Sequence, residues 1–162
     1  MLSKSGVPDK KQIAEVLPSK ERLAAGPVVV VECFQEIPCD PCYTSCKQGC
    51  FQPFEDINDL PRMDFEKCNG CGICIGACPG LAIFIVDESY SEDQALLSIP
   101  WEFLPVPVEG ETVEGLNREG KMVGPVRVKK VRPSAKKSTT QVLTLEVPKE
   151  LVHEVRSIKV KQ

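Results

Sequence analysis

The sequence of 162 residues predicts an α+β fold. Short β-branched or apolar runs at residues 28–31 and 81–86 predict strands, and glycine and proline divide the last third of the chain into further β segments. All nine cysteines lie between residues 33 and 78. We therefore expect an N-terminal extension over residues 1–26, a cysteine-bearing domain over 27–97 and a β-rich domain over 98–162.

The N-terminal extension is polar and predicts two short helices, over residues 9–17 and 19–25. Pro18 and Ser19 are suitable residues for a helix start, and Gly26 followed by Pro27 is a firm stop. Two interpretations of the extension remain open. It is either a partly ordered tail or an arm that docks a partner.

The runs at residues 28–31 and 81–86 predict buried strands on either side of the cysteines. Each half of the cysteine-bearing domain then consists of one strand and one cysteine loop. This arrangement indicates an internal duplication with a period of about thirty residues.

The second cysteine run has the spacing C-x2-C-x2-C-x3-C and ends in proline, at Cys68, Cys71, Cys74, Cys78 and Pro79. Three thiolates two residues apart on a turning loop can surround one metal cluster, whereas the x3 gap directs the last thiolate elsewhere. The intervening glycines suit a backbone that lies close to inorganic sulfur. The run resembles the one by which bacterial-type ferredoxins hold cubane [4Fe-4S] clusters.

The first cysteine run is less regular and allows two registers against the second. One register uses Cys33, Cys39, Cys42 and Cys46 and leaves Cys50 spare. The other uses the four cysteines from Cys39 to Cys50 and frees Cys33. Neither register has a proline after its last cysteine, so the first half departs from the ferredoxin pattern.

Because each x3 cysteine points away from its own run, we expect the ligands to cross between the halves. One cluster is expected on Cys33, Cys39, Cys42 and Cys78. The other is expected on Cys46, Cys68, Cys71 and Cys74. The sequence therefore predicts two [4Fe-4S] clusters in one chain.

The C-terminal part of the chain predicts an antiparallel β-barrel or sandwich. The expected strands cover residues 94–99, 104–108, 112–116, 122–131 and 141–147. A short helix is expected over residues 148–157, with the single histidine, His153, in a structural role. This segment carries no chemistry of its own and offers many strand edges, so we expect it to dock a partner.

Composition excludes several classes of protein. A net charge of −3 argues against nucleic-acid binding, and the basic residues near the end of the chain have no interleaved aromatic side chains. No apolar stretch is long enough to span a bilayer, and no export signal is visible. We therefore expect a cytoplasmic protein whose odd number of closely spaced cysteines holds metal and does not form disulfides.

Zinc is the alternative metal, because paired C-x2-C units also build zinc-binding interaction modules. A structural zinc ion takes four ligands in a closed site. Such a site does not require a third cysteine after the second x2 gap, nor the x3-Cys-Pro that follows it. The spacing therefore favours iron–sulfur clusters.

Residues 27–86 resemble bacterial two-cluster ferredoxin domains. More narrowly, Glu32-Cys33-x5-Cys39-Asp40-Pro41-Cys42, the second run through Ile83 and the β-rich tail are similar to the small iron–sulfur subunits of flavin-dependent proline, hydroxyproline and opine dehydrogenases. The resemblance implies a non-catalytic electron-transfer subunit, with an FAD-dependent dehydrogenase as partner in a hetero-oligomeric complex. A ferredoxin-like subunit of another oxidoreductase, such as a hydrogenase or 2-oxoacid complex, remains the alternative.

Overall fold

The computed structural model describes residues 2–133 and 139–160. They form an α+β structure with five short helices, seven strands and two 3-10 turns. The helices are α1 (Leu2–Ser5), α2 (Lys10–Val16), α3 (Lys20–Ala24), α4 (Pro41–Ser45) and α5 (Ile73–Ala77). The strands are β1 (Val28–Val31), β2 (Ile83–Asp87), β3 (Gln94–Trp101), β4 (Thr112–Leu116), β5 (Met122–Pro133), β6 (Gln141–Pro148) and β7 (Ser157–Lys159). The 3-10 turns cover Phe65–Lys67 and Lys149–Leu151.

The two helices expected in the N-terminal extension are confirmed as α2 and α3. Asp9 caps α2 in a capping box with Gln12, which satisfies two backbone N–H groups at the helix start. Ser19 caps α3 by accepting from the backbone N–H of Arg22. The extension is therefore ordered from residue 2 and leads directly into β1.

All seven strands belong to one antiparallel sheet with the order β1-β2-β3-β6-β5-β4-β7. The position between residues 97 and 98, where we expected a domain boundary, lies inside β3. That strand pairs with β2 on one side and with the whole length of β6 on the other, from Gln94↔Pro148 to Trp101↔Gln141. The C-terminal strands thus extend the sheet of the cysteine-bearing part and do not form a separate barrel or sandwich.

The sheet is buried on both faces near β1, which explains the uninterrupted run of four valines. On one face Val28 and Val30 pack into the main core, together with Leu97 and Leu145 of β3 and β6. On the other face Val29 and Val31 pack against Ile75, Ile83 and the cysteines, in what we term the cysteine-side core. The two cores share β1 and β2 as a common wall.

A buried ion cluster joins the first strand to the last. Glu32, directly after β1, accepts hydrogen bonds from Arg118 Nη2 and Arg156 Nε, each over 2.6 Å. Arg118 lies in the turn between β4 and β5, and Arg156 immediately precedes β7. The sheet is therefore curled so that its two ends approach each other at Glu32.

Two predictions of secondary structure were wrong. Residues 104–108 form no strand; they contain a cis peptide bond at Leu104–Pro105, and Pro105 and Pro107 lack the N–H that a strand ladder needs. Residues 148–157 form a 3-10 turn and further turns in place of the expected helix. Within residues 2–133 and 139–160, no helix is long and apolar enough to cross a membrane.

Candidate iron–sulfur site

The cysteines occupy equivalent positions on two short helices that pack against each other. Cys42 lies in α4 and Cys74 in α5, while Cys46 and Cys78 are the residues that end those helices. Gly72 opens α5 with a φ of 72°, a left-handed conformation that suits glycine. The two cysteine runs thus share one local structure, as the expected duplication requires.

The first cavity is lined by four of the expected ligands, and three of them come from the first run. They are Cys33, Cys39, Cys42 and Cys78. Apolar side chains, among them Val31, Ile37 and Ile83, complete the walls. The cavity encloses about 390 Å³ when its open mouth is included. Cys78 enters it from the second run, which is the crossing that the x3 gap predicts.

The second cavity is lined by five cysteines and encloses about 260 Å³. They are Cys46, Cys50, Cys68, Cys71 and Cys74. Val29 and Ile85 form its floor against the sheet. Cys33 lines the first cavity, whereas Cys46 and Cys50 both line the second.

Cys68 is the most heavily hydrogen-bonded sulfur of the second cavity. The Cys50 thiol donates to it, and the backbone N–H groups of Val29 and Gly70 approach it at 3.3 and 3.4 Å. The hydrogen bond from Cys50 is the largest cause that lowers the pKa of Cys68 to about 6, and it raises the pKa of the Cys50 thiol. Backbone donors of this kind stabilise a thiolate ligand.

Most of the other cysteines are poor thiolates without a metal. Burial raises the pKa of Cys42 to about 11 and that of Cys74 to about 12, and it also raises the pKa of Cys33 and Cys39. A buried thiolate needs a nearby cation, and iron can supply one when it replaces the proton. The chemistry of both cavities thus fits a group that binds several thiolates.

In the part of the chain that the structure describes, no three histidine, cysteine or acidic side chains converge on a point that could hold a single metal ion. A cubane is bound differently, because each of its four thiolates ligates a separate iron. The four cysteines around the first cavity and the five around the second, with N–H donors to Cys68 and one from Ala82 to Cys78, fit this mode of binding.

Two arginines donate to the backbone of the loop that carries Cys68 and Cys71, and no sequence pattern pointed to either. Arg22, from α3, donates from Nη2 to the carbonyl oxygen of Cys68 over 2.7 Å. Arg132, from β5, donates from Nη1 to the carbonyl oxygen of Cys71 over 3.1 Å. They lie in the N-terminal extension and in the β-rich part, outside the cysteine runs, and neither belongs to a motif.

The second cysteine run also decides the comparison with known families. Residues 61–84 match the family model of the 4Fe-4S binding domain. This part of the chain is similar to 4Fe-4S ferredoxin-type domains. The match covers the second run and the first two residues of β2 but leaves the first run outside, so it accounts for one cluster.

Three curated proteins are similar to part of the chain. The pyruvate synthase subunit PorD of Methanocaldococcus jannaschii is 40% identical over 52 residues, which are 32% of this chain and 58% of the relative. PorD of Methanothermobacter marburgensis is 40% identical over 47 residues, 29% of this chain and 51% of the relative. A subunit of the Na⁺-translocating ferredoxin:NAD⁺ oxidoreductase complex of Acetobacterium woodii is 41% identical over 51 residues, 29% of this chain and 15% of the relative.

The chain therefore spans little more than half the length of these relatives at most. No solved structure matches it. Together with the 4Fe-4S domain, the relatives support an iron–sulfur electron-transfer function, since each is named as a subunit of an oxidoreductase assembly or a synthase.

Proposed function

We propose that this chain is an electron-transfer subunit that holds two [4Fe-4S] clusters and relays single electrons between a partner dehydrogenase and an external acceptor. The observation that carries the proposal is the pair of cavities, each lined by at least four cysteines drawn from both halves of the chain. The clusters would supply the one-electron chemistry when bound. The chain itself supplies thiolates, N–H donors to sulfur and a largely apolar enclosure.

We assign the first cluster to Cys33, Cys39, Cys42 and Cys78. We assign the second cluster to Cys46, Cys68, Cys71 and Cys74. Cys50 is left as a thiol that donates to Cys68, because the alignment of the two halves gives it no counterpart. Free cysteines in this number suit a reducing compartment, so the proposal places the protein in the cytoplasm.

The partner proposed from the sequence resemblance is an FAD-dependent dehydrogenase that oxidises an amino acid or a related amine. A flavin reduced by two electrons can pass them one at a time to one-electron carriers. An exposed apolar loop between β3 and β4 supports the presence of a protein partner, because Phe103, Leu104 and Val108 are 63%, 88% and 70% exposed. Within this proposal residues 27–97 carry the clusters, and residues 98–162 dock the partner.

A second candidate partner is a 2-oxoacid or ferredoxin-linked oxidoreductase, and the names of the curated relatives favour it. The two candidates differ in the substrate that reduces the clusters. We therefore propose to purify the chain anaerobically with its native partners, add proline, hydroxyproline, an opine or pyruvate with coenzyme A in turn, and follow the visible absorption of the clusters. Reduction by an amino acid or opine through a bound flavin supports the first candidate, and reduction by pyruvate supports the second.

Metal analysis tests the cofactor itself. Protein made without oxygen should be brown and contain about eight irons per chain with as much acid-labile sulfide if both cubanes form. About four irons would leave a single cluster. A colourless preparation with stoichiometric zinc would refute the proposal in favour of a zinc-binding module.

A further inference from the structure

Arg22 is a fixed positive charge beside the second cavity. Its guanidinium donates to four backbone carbonyl oxygens, those of Gly26, Pro27, Phe65 and Cys68, over distances of 2.7 to 3.1 Å. Among the described contacts none involves a carboxylate, so no acidic side chain offsets the charge of Arg22. Because several carbonyl groups hold the guanidinium at once, its position relative to Cys68 is fixed by the backbone.

Arg132 places a second positive charge beside the same loop, next to Cys71 and Gly72. Besides the hydrogen bond to the carbonyl of Cys71, its Nη2 atom lies 2.8 Å from the point where a Cβ on Gly72 would stand. The lining of the second cavity contains no acidic residue among those that the structure describes. Two guanidinium groups therefore contact the loop that carries Cys68 and Cys71, and no described acidic side chain lines the space between those cysteines and the sheet.

The first cavity has the opposite electrostatic character. Asp59 lines it, and Asp40 directly follows Cys39 in the chain. Among the described residues that line this cavity, none is basic. Arg118 and Arg156 share the carboxylate of Glu32, the residue before Cys33, so one of their two charges is neutralised.

We propose that Arg22 and Arg132 hold the reduction potential of the second cluster above that of the first. The inference rests on the two clusters of the proposed function. Reduction adds one negative charge to a cluster, and a nearby cation stabilises the reduced form while a nearby carboxylate destabilises it. An electron that moves from the first cluster to the second oxidises one by one electron and reduces the other by one, with no bond made or broken.

This order of the two reduction potentials gives the N-terminal extension and the β-rich part a role in the relay. Arg22 comes from the N-terminal extension and Arg132 from β5, so the potential of the second cluster depends on parts of the chain that lie outside the cysteine runs. A single electron on the chain resides on the second cluster. Cys71, which Arg132 contacts through its carbonyl oxygen, is the one exposed cysteine of the nine.

The test uses the full-length chain, reconstituted anaerobically and titrated stepwise with dithionite while absorption and electron paramagnetic resonance are recorded. The wild type should show two waves of reduction. Arg22→Gln and Arg132→Gln should each move the higher wave to lower potential and leave the lower wave in place. The shift from Arg22→Gln should be the larger because Arg22 is half-buried whereas Arg132 is exposed to solvent screening.

Two further variants separate charge from structure. Lys130→Gln removes an equal charge from an exposed site two residues before Arg132 and should move neither wave appreciably. Arg22→Lys keeps the positive charge but loses the set of four hydrogen bonds. Its higher wave should therefore lie closer to the wild-type potential than to that of Arg22→Gln. A Cys33→Ser chain, which lacks a ligand of the first cavity, should lose the lower wave and so assigns it.

The outcomes distinguish this inference from the proposed function. Eight irons with both waves unchanged in the two arginine variants would overturn the inference alone, and so would an equal shift in Lys130→Gln. Four irons and a single wave in the wild type would overturn the two-cluster proposal and the inference with it. Should Arg22→Gln lose iron because α3 no longer packs, the exposed Arg132→Gln carries the test, and an unmoved higher wave there would refute it.

Discussion

Cys50 donates a hydrogen bond from its thiol to the sulfur of Cys68 inside the second cavity. The cavity thus contains one cysteine more than a cubane can bind. We propose Cys50 as the spare cysteine and Cys46 as the fourth ligand, because the alignment of the two halves gives Cys50 no counterpart.

The first prediction follows from that choice. Cys50→Ser keeps a hydroxyl donor near Cys68, so we expect the iron content of the anaerobic protein to stay unchanged. Cys46→Ser should lose about half of the iron, because one ligand of the second cluster is gone. Iron and sulfide analysis of the two variants checks this, and a loss of iron from Cys50→Ser with none from Cys46→Ser would reverse the assignment.

The second prediction concerns the buried carboxylate of Glu32. Replacing it by glutamine leaves Arg118 and Arg156 buried without a counter-charge, which should lower the free energy of unfolding by about 3 kcal/mol. Anaerobic denaturant unfolding measures the change. Glu55→Gln is the matched control, because Glu55 pairs with Arg62 at the surface and should change stability by less than about 1 kcal/mol.

The Glu32 carboxylate should also make the free energy of unfolding depend on pH, and the direction of that dependence follows from its pKa. Burial alone would raise the pKa of Glu32, but the hydrogen bonds and charges of Arg118 and Arg156 outweigh it and lower that pKa. The stabilisation is therefore complete above the ordinary carboxyl pKa and is lost as the pH falls through the lowered value. The stability difference between wild type and Glu32→Gln should shrink in acid, and a constant difference from neutral pH to strong acid would contradict this.

The third prediction concerns the loop of residues 102–111 as a docking surface. Leu104→Asp places a charge on a side chain that is 88% exposed, so it should leave the cluster spectrum intact and prevent the flavin-containing partner from co-purifying. Met122→Asp changes another exposed apolar residue, 64% exposed, at the start of β5, and should retain the partner. If both variants retain the partner, or both lose it, the loop is not the specific docking element.

The fourth prediction follows from the continuity of the sheet. Leu143, Leu145 and Val147 of β6 are fully buried in the core that also holds Val28 and Val30. A chain that ends after Trp101 would expose that core and the whole edge of β3, so we expect it to be insoluble or unfolded by circular dichroism. A truncated chain that folds and binds clusters would show that the cysteine-bearing part is an independent domain.

The fifth prediction uses two glycines with the same backbone geometry. Gly70 has a φ of 71°, and a Cβ there would stand 2.4 Å from the Cβ of Pro27. Gly120 has a φ of 75° and open space around it. Both changes to alanine carry a similar conformational cost, of about 1 kcal/mol, but only Gly70→Ala should reduce the iron content, because it displaces the loop between Cys68 and Cys71. Iron analysis of the two anaerobic variants checks this, and equal iron in both would contradict it.

The sequence predicted best what depends on local spacing. The valine run of β1 and the capped helix at Ser19 follow from short patterns, and the structure contains them. The expected duplication of the cysteine loops is matched by two short helices at equivalent positions, which the sequence did not predict as helices. The crossing of ligands between the halves stays a prediction that the two cavities support. The predicted strand at residues 104–108 was wrong because its apolar residues alternate with two prolines, which cannot donate to a strand ladder.

The features that the sequence could not reveal depend on contacts between residues that are far apart along the chain. The β3–β6 ladder joins residues about fifty positions apart, so a composition change near residue 100 suggested a domain boundary although one sheet crosses it. Glu32, Arg22 and Arg132 are single charged residues with no periodic pattern around them. Their partners become visible only when α3, β5 and the segment before β7 are brought together in space.

The order of the cysteines along the chain determines when the residues that line each cavity are synthesised. Arg22, Pro27 and Val29, which contact the loop around Cys68, leave the ribosome before any cysteine does. Three of the cysteines that line the first cavity are synthesised early, whereas the fourth, Cys78, is the last cysteine of the chain to be synthesised. Neither half of the segment supplies the full cysteine lining of either cavity, so both linings are complete only after the entire cysteine stretch has emerged.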